Sequence, residues 1–153
     1  MSSVQRRTSR RAILLTCCAA LSACLAQAGC GGAAVAPPQS DAQERVAKVM
    51  NLIRAYVDKN QKPPSNEQAL RDFAAKLTPE ERSAYLIGDD LENIFTSPRD
   101  QKKFLVKYNL KPDPAVTRAL VWEETGLNGM HWVALTNGYT VEYDEQQLKD
   151  YIK

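Results

Sequence analysis

The stretch MHWVALTNGYTVEYD, residues 130–144, decides the fold because it contains two strand-forming runs around a tight turn. β-Branched and aromatic residues, which favour strands, fill both runs. Asn137-Gly138 lies between them and tolerates the positive φ angles that tight hairpin turns need. We therefore predict antiparallel strands over residues 130–136 and 139–143.

Two further strands are predicted upstream of this hairpin, over residues 104–108 and 116–122. A turn at residues 97–100 and a proline-rich bend at residues 111–114 bound them. Downstream, Asp144 and Gln147 have capping-box spacing and predict a final helix. Its apolar residues are Leu148, Tyr151 and Ile152. The C-terminal half is thus predicted to be a four-stranded meander followed by a helix.

The part of the chain before the strands shows helical periodicity. Ser40 and Gln43 have capping-box spacing and begin a long predicted helix that Pro63-Pro64 ends. Its apolar stripe consists of Val46, Val49, Met50, Ile53, Tyr56 and Val57.

Two shorter helices are predicted next. One starts at Ser65 and carries Leu70, Phe73, Ala74 and Leu77. The other starts at Thr78-Pro79-Glu80-Glu81, carries Ala84, Tyr85 and Leu86, and ends at Gly88; residues 91–95 could add one turn. Helices followed by a meander predict an α+β fold in one domain, residues 41–153, with the long helix across one sheet face and the other face partly solvated.

The first 20 residues have the pattern of a bacterial export signal. Arg6, Arg7, Arg10 and Arg11 precede a short apolar run, Ala12 to Ala20, and no acidic residue occurs among them. The run is shorter than the roughly 20 apolar residues that span a bilayer.

The end of this segment, Leu21-Ser22-Ala23-Cys24, resembles the lipobox of bacterial lipoproteins. The resemblance implies that residues 1–23 are a signal peptide, that Cys24 carries the lipid, and that Cys17 and Cys18 are discarded. Gln27-Ala28-Gly29-Cys30 is a weaker candidate because a polar residue stands where the pattern has an aliphatic one.

Ser9-Arg10-Arg11-Ala12-Ile13-Leu14 also resembles a twin-arginine export motif, with Ile13 at the usual phenylalanine position and no lysine after it. An ordinary basic segment explains the same residues equally well. Both export routes are compatible with this stretch.

The composition limits what the mature chain can be. Residues 24–40, which include GGAAVAPPQS, predict a lipidated, flexible tether. Without the signal, 16 basic and 18 acidic residues give a formal net charge of −2, so we expect no nucleic-acid partner. All four cysteines lie in the first 30 residues, so the domain has no disulfide or thiolate metal site.

Three stretches of the domain resemble the globular part of type IV pilins and type II secretion pseudopilins. They are YVDKNQKPPSNEQAL (56–70), SPRDQKKFLVKY (97–108) and GMHWVALTNGYTVE (129–142). The resemblance implies a pilin-like arrangement in which Val133 and Leu135 point inward and Val141 resumes the strand after the turn.

The chain also departs from the pilin pattern. It has no Gly-Phe peptidase site, no glutamate at the fifth mature position and no retained apolar stem, and Leu127 stands where one common ending has histidine. We therefore expect a pilin-like domain on a lipid anchor and no filament. The calcium ligands of the major pseudopilins match no position here.

His131 is the only histidine of the chain and lies in a predicted strand. No serine or cysteine nucleophile is evidently placed for it, so we expect a structural or exposed histidine. We expect no metal, cofactor or catalytic residue. Asp89, Asp90 and Glu92, together with Asp100 or Asp113, could supply oxygen ligands for calcium, but they have no EF-hand spacing, and we expect a helix cap and solvated charges.

Two other sets of residues have a structural and a functional interpretation. Adjacent Glu123 and Glu124 could do acid–base chemistry, but we expect both to be solvated in a loop. Four aromatic residues on neighbouring strands could form a binding surface or core pairs: Trp122, Trp132, Tyr139 and Tyr143. We expect Trp122 in the core and leave Trp132 open.

The sequence therefore predicts a non-enzymatic lipoprotein, anchored at Cys24, that faces the periplasm and contacts another envelope protein. Leu25 gives no inner-membrane retention signal, so the outer membrane is preferred. An accessory part of a secretion or pilus-like machine is the first alternative. An envelope hydrolase is the second, and a concave pocket that joins His131 to carboxylates would favour it.

Overall fold

A computed structural model describes residues 38–153, with side chains from residue 41 onward. The elements in chain order are α1 (Pro38–Asn60), α2 (Glu67–Ala74), α3 (Pro79–Ala84), β1 (Leu105–Val106), β2 (Ala119–Trp122), β3 (Met130–Leu135), β4 (Thr140–Asp144) and α4 (Glu145–Ile152). The strands form one antiparallel sheet in the order β1-β2-β3-β4. The predicted α+β class, the four-stranded meander and the C-terminal helix are confirmed.

The β3–β4 hairpin forms where it was predicted, but its turn has a different geometry. Of the two turn residues, only Gly138 has a positive φ angle, of 97°, so Asn137 does not adopt the expected left-handed conformation. The amide of Leu135 donates to the carbonyl of Tyr139, and that of Gly138 donates back to Leu135. The loop thus has three residues with glycine at the left-handed position, a common alternative to the two-residue turn.

Strands β1 and β2 are shorter than the sequence predicts. β1 has two residues where five were expected, and β2 begins at Ala119, where its pairing with β3 starts; residues 116–118 are exposed. A register shift between Ala119 and Val121 marks a β-bulge. The bulge explains why every residue of β2 is buried: Leu120 and Val121 both face the core under α1, while Ala119 and Trp122 face the other side.

Helix starts follow the capping signals to within two residues. The capping boxes at Thr78 and Asp144 form, with Glu81 and Gln147 as their third residues. α2 begins one residue later than predicted because Asn66, not Ser65, accepts from the amide of Ala69. α1 begins at Pro38, before the predicted cap at Ser40.

The main core lies between the helices and one face of the sheet. α1 packs against α2 and strands β2, β3 and β4 through its predicted stripe, in which Val46, Val49, Met50 and Ile53 are buried. α3 buries none of its residues. Leu86, predicted as an apolar member, is 73% exposed, and the next residue, Ile87, is buried in its place. Residues 91–95 form a turn and not a further helical turn.

A second core lies on the opposite face, which was predicted to be partly solvated. α4 folds back over that face and buries Leu148. The cluster contains Ala119, Trp122, Val133, Leu135 and Leu148, with Val141, Tyr143, Tyr151 and Ile152 packed against it. Val133 and Leu135 therefore point inward, as predicted, but toward α4.

Candidate functional site

The predicted anchor lies outside the described residues. Cys24, with Cys17, Cys18 and Cys30, precedes residue 38, so the lipobox interpretation stays a prediction. Over residues 38–153, no helix is long and apolar enough to cross a membrane.

His131 lies on β3, on the sheet face that α4 covers, and is 6% exposed. Its Nδ1 atom lies 3.0 Å from the backbone carbonyl of Glu123. A carbonyl oxygen can only accept, so Nδ1 carries a proton, and in the neutral form of the ring Nε2 has the free lone pair. Within the described part of the chain, Nε2 has no hydrogen-bond partner, and it is not completely buried.

A cleft of about 540 Å³ opens beside His131, between α4 and the end of the sheet. Trp122, Leu148 and Ile152 form its apolar floor. Thr125 and Gly129, from the loop between β2 and β3, contribute to one wall. The cleft thus joins the only imidazole of the chain to an apolar floor.

Charged side chains form the rim of this cleft: Glu124, Glu145 and Lys149. Lys149 lies one helical turn after Glu145, and its Nζ is 3.0 Å from the Glu145 carboxylate. The hydrogen bond from Lys149 is the main reason that the pKa of Glu145 lies below its usual value, and the charge of His131 contributes least. Glu124 is half exposed and 3.8 Å from Lys102.

The two adjacent glutamates have opposite environments, which corrects the prediction that both are solvated. Glu124 is exposed, but Glu123 is completely buried. Ser97 Oγ donates to one carboxylate oxygen of Glu123 at 2.5 Å, and the amide of Trp132 donates to the other at 2.9 Å. The strand alternation that separates the two residues directs Glu123 toward the main core.

Arg99 compensates the buried charge of Glu123. Its side chain is 1% exposed, and its Nη1 is 3.5 Å from Glu123 and 2.8 Å from Glu142. Nη2 donates to the carbonyls of Leu127 and Met130, at 3.2 and 3.1 Å. A buried ion pair is stabilised only when further hydrogen bonds satisfy its polar atoms, and most of these are satisfied here.

The same segment fixes the loop between β2 and β3. Asp100 Oδ2 accepts from the amides of Thr125 and Gly126, at 3.2 and 3.1 Å. Together with the Arg99 bonds, these contacts hold the loop that forms one wall of the cleft. Residues 97–100 are a turn, as predicted, but they also support the site.

Sequence reasoning missed this buried network. The informative signal was the position of Glu123 directly after the apolar run ALVW, where a strand buried on both faces continues. No local pattern pairs Glu123 with Arg99, since they are 24 positions apart and Arg99 is in a turn.

The acidic cluster after Gly88 is solvated, as expected. Asp89, Asp90 and Glu92 are exposed; Asp89 pairs with Arg82, and Asp90 accepts from the amide of Asn93. Asp100 and Asp113 bind backbone amides in other loops. Across residues 38–153, no group of three or more histidine, cysteine or acidic residues is arranged to hold a metal ion.

The four aromatic residues do not form one surface. Trp122 is buried, as expected, and Trp132 packs against the main core on the opposite face. Tyr143 stacks on Tyr151 with ring centroids 4.8 Å apart, and a hydrogen bond with Tyr151 raises the pKa of Tyr143 to about 12. Tyr139 is 69% exposed in the hairpin turn.

The cleft offers one imidazole nitrogen, two carboxylates and one ammonium group above an apolar floor. These groups can bind a small polar ligand, and Nε2 of His131 can accept a proton from bound water. Comparisons of the chain with protein-family models, curated proteins and solved structures found no match.

Proposed function

We propose that the protein is a lipid-anchored, non-enzymatic protein of the bacterial cell envelope, whose domain contacts another envelope protein. One observation carries this proposal: Leu21-Ser22-Ala23-Cys24 follows a basic segment and a short apolar run. The diacylglycerol would be attached to Cys24, and the tether would hold the domain on the periplasmic side, with the outer membrane preferred.

The outer strand β4 is the surface that best suits a protein partner. It has five residues, against two in β1 at the other edge of the sheet. Tyr139, the residue before β4, is exposed. An extended segment of a partner could add to this edge through backbone hydrogen bonds.

A pilin-like arrangement of the domain is part of the proposal. It is supported by a helix of 23 residues, α1, that packs across one face of an antiparallel meander. The proposed lipid anchor takes the place of the apolar stem, so the domain would not form filaments. Membership of a secretion or pilus-like machine remains the alternative.

Purification of the wild-type chain and Cys24→Ala from detergent-solubilised membranes tests this function. Mass spectrometry should find a diacyl-modified Cys24 peptide and a specific envelope partner with the wild type only. Cys30→Ala is the matched control and should behave as the wild type. An unmodified, soluble wild type would exclude the lipoprotein, and a partner from a secretion machine would support the alternative.

The cleft at His131 favours a second candidate, an envelope hydrolase, because it joins the imidazole to Glu124 and Glu145. In this candidate, Nε2 of His131 activates a water molecule. Model esters and amides should then be hydrolysed by the wild type and not by His131→Gln, while Lys48→Gln, on α1, keeps full activity. Equal rates for His131→Gln and the wild type would exclude this role.

A further inference from the structure

We propose that the cleft between α4 and the sheet binds an alkylammonium group, the chemistry shared by small primary amines and lysine side chains. The proposal does not depend on the lipid anchor or on the envelope partner. It rests on the nearly buried His131, the apolar floor and the charges of the rim.

The acceptor for the ammonium group is Nε2 of His131. The ring is held by its Nδ1 contact with Glu123, and 94% of the residue is buried, so its orientation is fixed. Nε2 has no partner within residues 38–153. A polar atom at the edge of a buried side chain loses free energy unless a ligand or water satisfies it, and an ammonium group is a strong donor.

The floor suits the alkyl chain of such a ligand. Trp122, Leu148 and Ile152 provide an apolar surface next to the histidine. An indole also attracts a cation, so Trp122 can contact the alkyl chain of the ligand and attract its ammonium group. The volume of about 540 Å³ is in the range of small-molecule sites.

The rim selects a cation over an anion. Of the charged groups that line the cleft, two are carboxylates, from Glu124 and Glu145, and one is the ammonium group of Lys149; Lys102, outside the lining, lies 3.8 Å from Glu124 in an exposed and therefore weak contact. Lys149 already forms an ion pair with one of these carboxylates, because its Nζ lies 3.0 Å from Glu145. Because both side chains are more than half exposed, this pair is weak and a bound ammonium group can replace it.

The test is a nuclear magnetic resonance titration of the full-length chain in detergent micelles with n-butylammonium. The His131 imidazole and Trp122 indole signals should shift saturably, with a dissociation constant on the order of millimolar for so small a ligand. n-Butanol and butyrate, which are four-carbon compounds without the positive charge, should bind about tenfold more weakly. Nα-Acetyl-lysine-methylamide distinguishes the source: tighter binding than butylammonium points to a protein side chain, and weaker binding points to a free amine.

Two variants with matched controls separate this site from general charge effects. Glu145→Gln should weaken butylammonium binding about two- to fivefold, and Lys149→Gln, which removes the competing cation, should strengthen it by a similar factor. Glu44 and Lys48 form an equivalent pair on α1, away from His131, so Glu44→Gln and Lys48→Gln should change nothing.

Three results would overturn the proposal: no saturable shift at His131 and Trp122, tighter binding of butyrate, or weaker binding by Lys149→Gln. Cys24→Ala should bind butylammonium as the wild type does. A chain that lacks the lipid anchor but still binds butylammonium would therefore show that the proposed envelope function fails while this site does not.

Discussion

Arg99 has an extreme environment for a charged side chain, because it is 1% exposed and faces two carboxylates. Its removal would leave Glu123 buried without a countercharge, and such a change typically costs 3–5 kcal/mol. We expect Arg99→Met to lower the free energy of unfolding by about 3 kcal/mol or more. Urea denaturation followed by circular dichroism measures this loss.

The buried charge, and not the lost packing of Arg99, should cause most of this loss. Arg99→Met combined with Glu123→Gln should therefore be more stable than Arg99→Met alone. Lys102→Met, in the exposed contact with Glu124, should cost less than about 1 kcal/mol. A double variant that is no more stable than Arg99→Met would contradict this explanation.

Glu67 links stability to pH through a smaller network. Burial would raise its pKa, but hydrogen bonds from Arg71 and Lys103 outweigh this effect, so the pKa lies below 4.5. A carboxylate whose pKa is lower in the folded than in the unfolded state stabilises the protein at pH values above its unfolded-state pKa. This stabilisation is lost as the pH falls through its folded-state pKa.

We therefore expect Glu67→Gln to be less stable than the wild type at pH 7, by about 1 kcal/mol. The difference should shrink as the pH falls below 4.5, and urea denaturation at a series of pH values measures it. In an Arg71→Met background, which removes one partner of Glu67, the same substitution should cost less. A pH-independent difference would mean that Glu67 acts through packing and not through its charge.

At the scale of single residues, residue type and spacing predicted only part of the site. Trp122 was expected in the core because aromatic residues on neighbouring strands most often form cross-strand core pairs. Glu123 was expected in solvent. Ser97 and Arg99 instead satisfy its carboxylate inside the protein, and only the tertiary fold brings these residues together. A buried carboxylate is visible in a sequence only when its partner is local.

The loop between β2 and β3 is the element on which the cleft depends most directly. Gly126 is buried with φ of 67°, and a Cβ atom there would overlap the carbonyl oxygen of Met130, which accepts from Arg99. Gly129 has φ of 75°, but no atom would lie within 4 Å of its Cβ. The two glycines share a left-handed backbone conformation, but only Gly126 lacks room for a side chain.

We expect Gly129→Ala to cost about 1–2 kcal/mol, the strain of a left-handed alanine. Gly126→Ala should cost at least about 2 kcal/mol more, because the backbone must move and the Arg99 contact is lost. Thermal and urea denaturation of the two variants give the comparison. Equal losses would show that the contact between residues 126 and 130 does not restrain the loop.

Elements were predicted best where the signal is local. The caps at Thr78 and Asp144 and the turn at Asn137-Gly138 involve residues close in sequence, and all three formed where predicted. The short extent of β1 and the bulge in β2 were not predicted. Both depend on how many residues the neighbouring strand can pair and on which core each side chain enters.

At the scale of the whole molecule, two apolar cores share one thin sheet. The core under α1 and the core under α4 meet at β2 and β3, which contribute side chains to both. The sequence predicted the first core from the stripe of α1. It did not predict the second, because the apolar residues of α4 gave no indication of the sheet face on which the helix would lie.

Because the strands are common to both cores, we expect the described domain to unfold in one cooperative transition. Trp122 reports on the core under α4, and Trp132 packs against the core under α1. In Trp132→Phe and Trp122→Phe, the remaining tryptophan therefore reports on one face alone. The urea midpoint of its fluorescence should coincide with the circular dichroism midpoint of the same variant.

Leu148→Ala sharpens this test because it removes a buried side chain from the core under α4 only. A buried leucine-to-alanine change costs about 2–5 kcal/mol, and cooperative unfolding transmits that loss to the other face. The Trp132 signal, measured in the Trp122→Phe background, should therefore shift to lower urea together with the circular dichroism. A Trp132 transition that stays at its original midpoint would show that α4 detaches before the rest of the domain unfolds. The cleft, which α4 completes, would then open without loss of the main core.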